Sequence, residues 1–186
     1  MMVNEINQRA QKKMNETVEH TRKELTSIRT GRASLSILDG LTVEYYNTPT
    51  PLNQVATLTV PDPTLIVAQP WDVTLIPKIE KAIRGSDLGL NPANDGKVVR
   101  IPIPPLTDER RKELSRHVHK QAEEGRNVVR QVRRDANERL KKLLKEHKIS
   151  EDDERKGLDH VQKMTDDHVK LIDELQKKKD EDLLGR

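Results

Sequence analysis

TDERRKELSRHVHKQAEEGRNVVRQVRRDANERLKKLLKEHK, residues 107–148, holds no proline and carries a single apolar row. Leu114, Val118, Ala122, Val129, Val132, Ala136, Leu140 and Leu143 recur at helical spacing, with Gly125 near the one missing step. That period predicts an amphipathic helix. Thr107 suits an N-cap, and Asp108 and Glu109 complement the positive end of the helix dipole. At ~1.5 Å per residue such a helix is about 60 Å long. Its apolar stripe cannot be buried alone, so the reading of this stretch demands partner helices.

Two flanking segments supply them. In residues 1–30, Val3, Ile6, Ala10, Met14, Val18, Thr21, Leu25 and Ile28 step by three and four without proline or glycine, until Gly31 interrupts the row. After Lys148, Ser150 caps a third helix whose first turn is filled by Glu151, Asp152 and Asp153. Its stripe runs through Leu158, Val161, Met164 or Thr165, Val169, Ile172 and Leu175. Three mutually packed helices bury all three stripes.

Between the first and second helices the pattern changes. All 10 prolines lie between Pro49 and Pro105. The runs LTVEYY (41–46), VATLTV (55–60), TLIVAQ (64–69) and KVVRIPI (97–103) are β-branched and short. Pro102 suits a strand end or an edge. Ile76, Ile79 and Ile83 sit at helical spacing, with Asp72 or Thr74 as cap and Pro77 in the first turn. Asn94-Asp95-Gly96 signals a turn. Trp71, beside Pro70, reads as a packing anchor for this insert. The expected fold is α+β: an antiparallel three-helix bundle from 1–30 and 106–186, with a small β/α/β domain, 31–105, inserted between its first two helices. Gly31 and Pro104-Pro105 mark the two chain crossings, a candidate hinge.

The net charge of +3 from 34 basic and 31 acidic residues conceals a basic segment. Residues 126–148 hold nine basic and three acidic side chains, against eight and twelve in 149–186. At about 100° per residue, Arg126, Arg130, Arg134, Asn137 and Lys141 cluster to one side of the apolar row, with Arg116 and His119 upstream. Glu123 is the only acid in that sector. A line of guanidinium and ammonium groups suits the phosphates of a nucleic acid. The same row also suits a solvated face with local ion pairs. Segregation of the acids favours nucleic acid. No helix-turn-helix or zinc-finger pattern is present to favour duplex DNA.

Other chemistry is poorly provided for. No apolar run approaches the roughly 20 residues of a membrane span, and the first residues lack the apolar core of a signal peptide. The chain has no cysteine, hence neither disulfide nor thiolate metal site. His117 and His119 point to different helix faces, and His160 and His168 lie about two turns apart, too far for one metal. No HExxH, GxSxG, phosphate-loop or dinucleotide-loop motif occurs. With Trp71, Tyr45 and Tyr46 as the only aromatics, base stacking along single-stranded RNA is not expected. We therefore expect no enzyme, no metal and no cofactor.

Several long segments resemble the ribosome recycling factor family. They are IRTGRAS (28–34), LNQVATLTVPDPTLIVAQPWD (52–72), IEKAI (79–83), SDLGLNPANDGKVVRIPIPPLTDERRKEL (86–114), RRDAN (133–137) and ISEDD (149–153). The resemblance implies an L-shaped molecule with the bundle as its long arm. It implies a cytoplasmic factor, expected as a monomer, that binds the post-termination ribosome through ribosomal RNA of the large subunit. With elongation factor G and its GTP it splits the subunits, releasing mRNA and tRNA. It also implies that Arg134 is needed for ribosome binding, flanked by Arg130 and Arg133, with Arg29 near the domain junction, and that Gly31, Pro104 and Pro105 form the hinge. Two other classes fit parts of the pattern: a general RNA-binding chaperone and a helical-bundle scaffold protein.

Overall fold

A computed structural model describes residues 2–184. The chain folds as two compact units, each packed chiefly against itself. One runs up to Thr30 and resumes at Asp108; the other is Gly31–Thr107.

The first unit is built from α1 (Met2–Ser27), α3 (Asp108–Lys145) and α4 (Glu151–Leu184). The apolar rows meet as their spacing requires. Ala10, Met14 and Val18 of α1 pack with Ala122, Val129, Val132, Ala136 and Leu140 of α3 and with Val161, Met164 and Ile172 of α4. Asn15 lies against His168, while Arg126 and Arg133 reach Asp173 and Gln162. α3 therefore runs antiparallel to α4, and α1 runs parallel to α4. Gly125 lets α1 approach α3 closely: a Cβ there would lie 2.5 Å from Thr21 Oγ1. His168 departs from the simple apolar stripe. It is buried, its Nδ1 is 2.6 Å from the Met164 carbonyl, and its Nε2 is 2.7 Å from Asn15 Oδ1. Both ring nitrogens thus face polar atoms inside the bundle rather than apolar side chains.

The α3–α4 turn is chemically explicit. His147 takes the left-handed conformation at φ 53°, while its N–H and that of Lys148 bond back to Leu144 and Leu143. This is a Schellman closure with histidine where glycine is usual. Ser150 Oγ then accepts the Asp153 N–H at 3.1 Å and donates to Asp153 Oδ2 at 2.7 Å. That reciprocal cap, with the Ser150 hydroxyl foremost, holds the Asp153 carboxyl below its ordinary pKa.

The second unit holds β1 (Thr42–Tyr45), β2 (Thr48–Pro51), β3 (Ala56–Asp62), β4 (Leu65–Pro70), α2 (Ile76–Arg84), β5 (Ala93–Asn94) and β6 (Val99–Pro102). β1 and β2 form a separate hairpin, and an antiparallel sheet has the order β3-β4-β6-β5. Ile66 and Ala68 of β4, Val99 and Ile101 of β6, and Ile79 and Ile83 of α2 are fully buried together. Pro102 ends β6, paired with Leu65. Asp72 caps the turn into α2 by accepting the Thr74 N–H at 2.9 Å.

The structure corrects two expectations. TPTP (48–51) is not among the expected strands, yet it pairs as β2, because the tight Tyr46-Asn47 turn, both residues at positive φ, folds it back onto β1. Trp71 is not a packing anchor. It is 72% exposed, held only at its edge by an Nε1–H bond to Thr57 Oγ1 at 3.3 Å. Leu52, Ile66, Ile79 and Ile83 already fill the core that it is expected to anchor.

Candidate nucleic-acid interface

The basic residues of α3 divide by the partner that each side chain finds. Arg126 stands nearest the seam with α4, its side chain only 15% exposed. Its Nε donates to Glu123 at 2.7 Å, and its Nη1 reaches Asp173 at 2.7 Å and Gln176 at 3.0 Å. Burial alone would lower the guanidinium pKa, but the bonds to Glu123 and Asp173 outweigh it and the shift is upward. Arg126 is thus a cross-helix clamp as much as a surface cation. Arg133 also leans to α4, donating to Gln162 at 3.1 Å.

Farther out, Arg130 shares Glu123, at 3.0 Å, and touches Asn127 at 3.3 Å. Hydrogen bonds from Arg126 and then Arg130 hold the Glu123 carboxyl below its usual range. Arg134 is exposed and bonds through Nε and Nη2 to Gln131 Oε1, at 3.2 and 2.6 Å. A neutral amide orients this guanidinium and leaves its charge uncancelled. Lys141, two turns on, is exposed as well. Asn137 is half-buried, and its Oδ1 lacks a hydrogen-bond partner. Upstream, Arg116 is exposed, whereas His119 bonds to Asp180 at 3.0 Å.

Of the row expected on one side of α3, Arg126 therefore lies at the α4 seam, with Arg133 from outside that row beside it, and Arg130, Arg134 and Lys141 face water. Sequence spacing places the row within one sector but gives no hint of Asp173, which lies 47 residues from Arg126. Arg29 is exposed just past the end of α1. At the crossings, Gly31 has φ 71°, and a Cβ there would lie 2.8 Å from Leu106 Cγ. Only glycine fits that approach without strain. Pro104 and Pro105 are exposed between β6 and α3. Among the described residues no cluster of histidine and carboxylate side chains is arranged for a metal. Among the same residues no helix is long and apolar enough to cross a membrane.

Known proteins share this fold and much of this sequence. The family model described as Ribosome recycling factor matches residues 21–184. A ribosome-recycling factor of Syntrophomonas wolfei is 54% identical over 162 residues, 87% of this chain and 88% of that one. One of Legionella pneumophila (strain Paris) is 49% identical over 183 residues, 98% and 99% of the two chains. A solution structure of the ribosome recycling factor superposes with TM-score 0.77 at 40% identity, covering 100% of this chain and 99% of that one. The factor of T. thermophilus, in models with E. coli elongation factor G bound to the E. coli post-termination complex, gives TM-score 0.65 at 46% identity, with both chains covered fully. With the family model spanning most of its length and relatives near half identity over nearly all of it, the chain belongs to the ribosome recycling factor family.

Proposed function

We propose that this protein recycles ribosomes after termination, acting in the cytoplasm without a catalytic group or cofactor of its own. The outer face of α3 binds ribosomal RNA of the large subunit through phosphates. Such contacts fix register and orientation without reading base sequence. Arg130, Arg134 and Lys141 make the contacts, and Arg133 and Arg29 flank them. Arg126 acts chiefly by holding α3 to α4, and Asn137 offers an amide at the edge. The observation that carries this reading is Arg134: an exposed guanidinium aimed by Gln131 rather than neutralised by a carboxylate. Arginine so presented suits paired phosphate oxygens.

The inserted unit then receives force from elongation factor G, whose GTP supplies the energy. Gly31, Pro104 and Pro105 form the joint that transmits it. The carry-over of that partner rests on the solved relative described with elongation factor G on a post-termination complex.

Light scattering of post-termination ribosomes tests the whole reading. Splitting should require this protein, elongation factor G and GTP together, and Arg134→Ala should weaken it through binding. Equal affinity for free RNA in a competition pelleting assay would mark a general RNA chaperone instead. Binding unaffected by changes along the α3 row would mark a bundle scaffold.

A further inference from the structure

Arg126 and Arg130 end on carboxylates, whereas the next two arginines of α3 end on amides. Arg134 bonds through Nε and Nη2 to Gln131 Oε1 at 3.2 and 2.6 Å, and Gln131 Nε2 donates to Asp135 Oδ1 at 2.7 Å. Arg133 meets the same arrangement on α4. Its Nη1 donates to Gln162 Oε1 at 3.1 Å, and Gln162 Nε2 donates to Asp166 Oδ1 at 2.8 Å. Two adjacent arginines are thus each joined to an aspartate through one glutamine amide.

The three groups make each link directional. A guanidinium only donates and an ionised carboxylate only accepts, so the amide between them must turn its oxygen to the arginine and its NH2 to the aspartate. Gln131–Asp135 and Gln162–Asp166 both have the i,i+4 spacing at which glutamine and aspartate bond along a helix. That spacing accounts for the half of each link between amide and carboxylate. It does not require the remaining amide oxygen to take an arginine in both cases, once within α3 and once across to α4. The consequence is electrostatic. Arg126 and Arg130 share Glu123 at 2.7 and 3.0 Å, so a phosphate approaching either must compete with a carboxylate. At Arg133 and Arg134 the competitor is a neutral oxygen, roughly half as strong a partner. The guanidinium is ordered in advance while its charge stays available, which lowers the cost of fixing it on a ligand.

We propose that Gln131 and Gln162 are positioning residues for the phosphate contacts of Arg134 and Arg133. Each amide fixes a guanidinium while separating it from a carboxylate. Asp135 and Asp166 act behind them by setting which way the amide faces. The inference rests on α3 as the RNA-binding face proposed above, and it gives roles to four side chains that act through the arginines.

The test measures binding of the full-length protein to purified post-termination ribosomes in a pelleting assay. Gln131→Glu and Gln162→Glu each put a carboxylate where the amide stands, and Gln8→Glu adds the same charge at an exposed position of α1. All three should melt within about 3 °C of wild type, as surface substitutions do. Relative to Gln8→Glu, each of the other two should lower affinity by about two- to fivefold, the scale of an exposed ion pair. Gln131→Met, which keeps the length and removes the amide, should weaken binding by about twofold or more. The effects of Gln131→Glu and Gln131→Met should vanish in an Arg134→Ala background, and that of Gln162→Glu in an Arg133→Ala background. Losses no greater than that of Gln8→Glu, unchanged or tighter binding by Gln131→Met, or losses that persist undiminished without the arginine would each overturn the proposal while leaving the α3 interface standing. Arg133→Ala and Arg134→Ala proteins that both bind as wild type would refute the interface itself, and this inference with it.

Discussion

Gly125→Ala adds one methyl group where α1, α3 and α4 meet. The new Cβ would lie 2.5 Å from Thr21 Oγ1 and 3.3 Å from Ile172 Cδ1. Two effects of opposite sign compete. Alanine favours a helix interior over glycine by about 1 kcal/mol. Overpacking a closed core costs about 1–3 kcal/mol. Thr21 yields poorly, because it is β-branched and its hydroxyl donates to the Thr17 carbonyl at 2.9 Å. Overpacking should win by roughly 1–2 kcal/mol, lowering the bundle's melting temperature by about 4–8 °C in circular dichroism at 222 nm. The double change Thr21→Ala with Gly125→Ala removes both contacting atoms of Thr21. It should recover most of the loss, a coupling of about 1–2 kcal/mol. A Gly125→Ala protein that melts above wild type would refute the close approach of α1 to α3. Gly157→Ala is the contrasting case. There the added carbon meets Leu140 methyls at 3.1 Å and Val3 at 3.2 Å, side chains that give way, so stability should change by less than about 1 kcal/mol.

Four further outcomes are expected. Ribosome binding by wild type should fall steeply with salt, and Arg134→Ala should weaken binding while making the log–log salt slope shallower by about 1; an unchanged slope in pelleting assays contradicts phosphate docking. Replacing Pro104 and Pro105 by alanine should impair splitting more than binding, and equal loss of both would count against a joint at that crossing. His147→Gly should stabilise the α3–α4 turn by about 1 kcal/mol in urea titrations, since glycine enters the left-handed conformation freely, and a loss of stability would contradict the Schellman reading. Acid should destabilise the protein: Glu123 and Asp153 have lowered folded pKa values, so their contribution is complete above the ordinary carboxylate pKa of about 4 and is lost as pH falls through the lowered values. Asp153→Asn should flatten the fall in melting temperature as pH drops below the ordinary carboxylate pKa of about 4, and an unaltered profile would remove the cap from the account.

The long helices are legible in the sequence because period is a property of one continuous segment. Met14, Val129, Leu140 and Ile172, placed by spacing alone, are fully buried. Ser150 is legible for the same reason, since a cap reaches only three residues ahead. What spacing conceals depends on contacts across the chain. Arg126 belongs to the expected sector, yet Asp173 on another helix determines how much of its charge faces water. His168 follows the helical period but draws notice in the sequence only as one of two histidines too far apart for one metal, whereas its place against Met164 and Asn15 makes it a core residue. β2 is hidden by its prolines, which an edge hairpin tolerates and a central strand does not. Trp71 misleads because size and hydrophobicity argue for burial, whereas the isoleucines of α2 and β4 occupy the space first.

The position of Trp71 has a practical consequence for spectroscopy. It is the only indole in the chain, and it stands in water on the folded protein. Its emission in the native state will already resemble that of an unfolded chain, so intrinsic fluorescence will pass silently over the melting of both cores. The same dye-free signal will turn blue and resist quenchers when another surface closes over it.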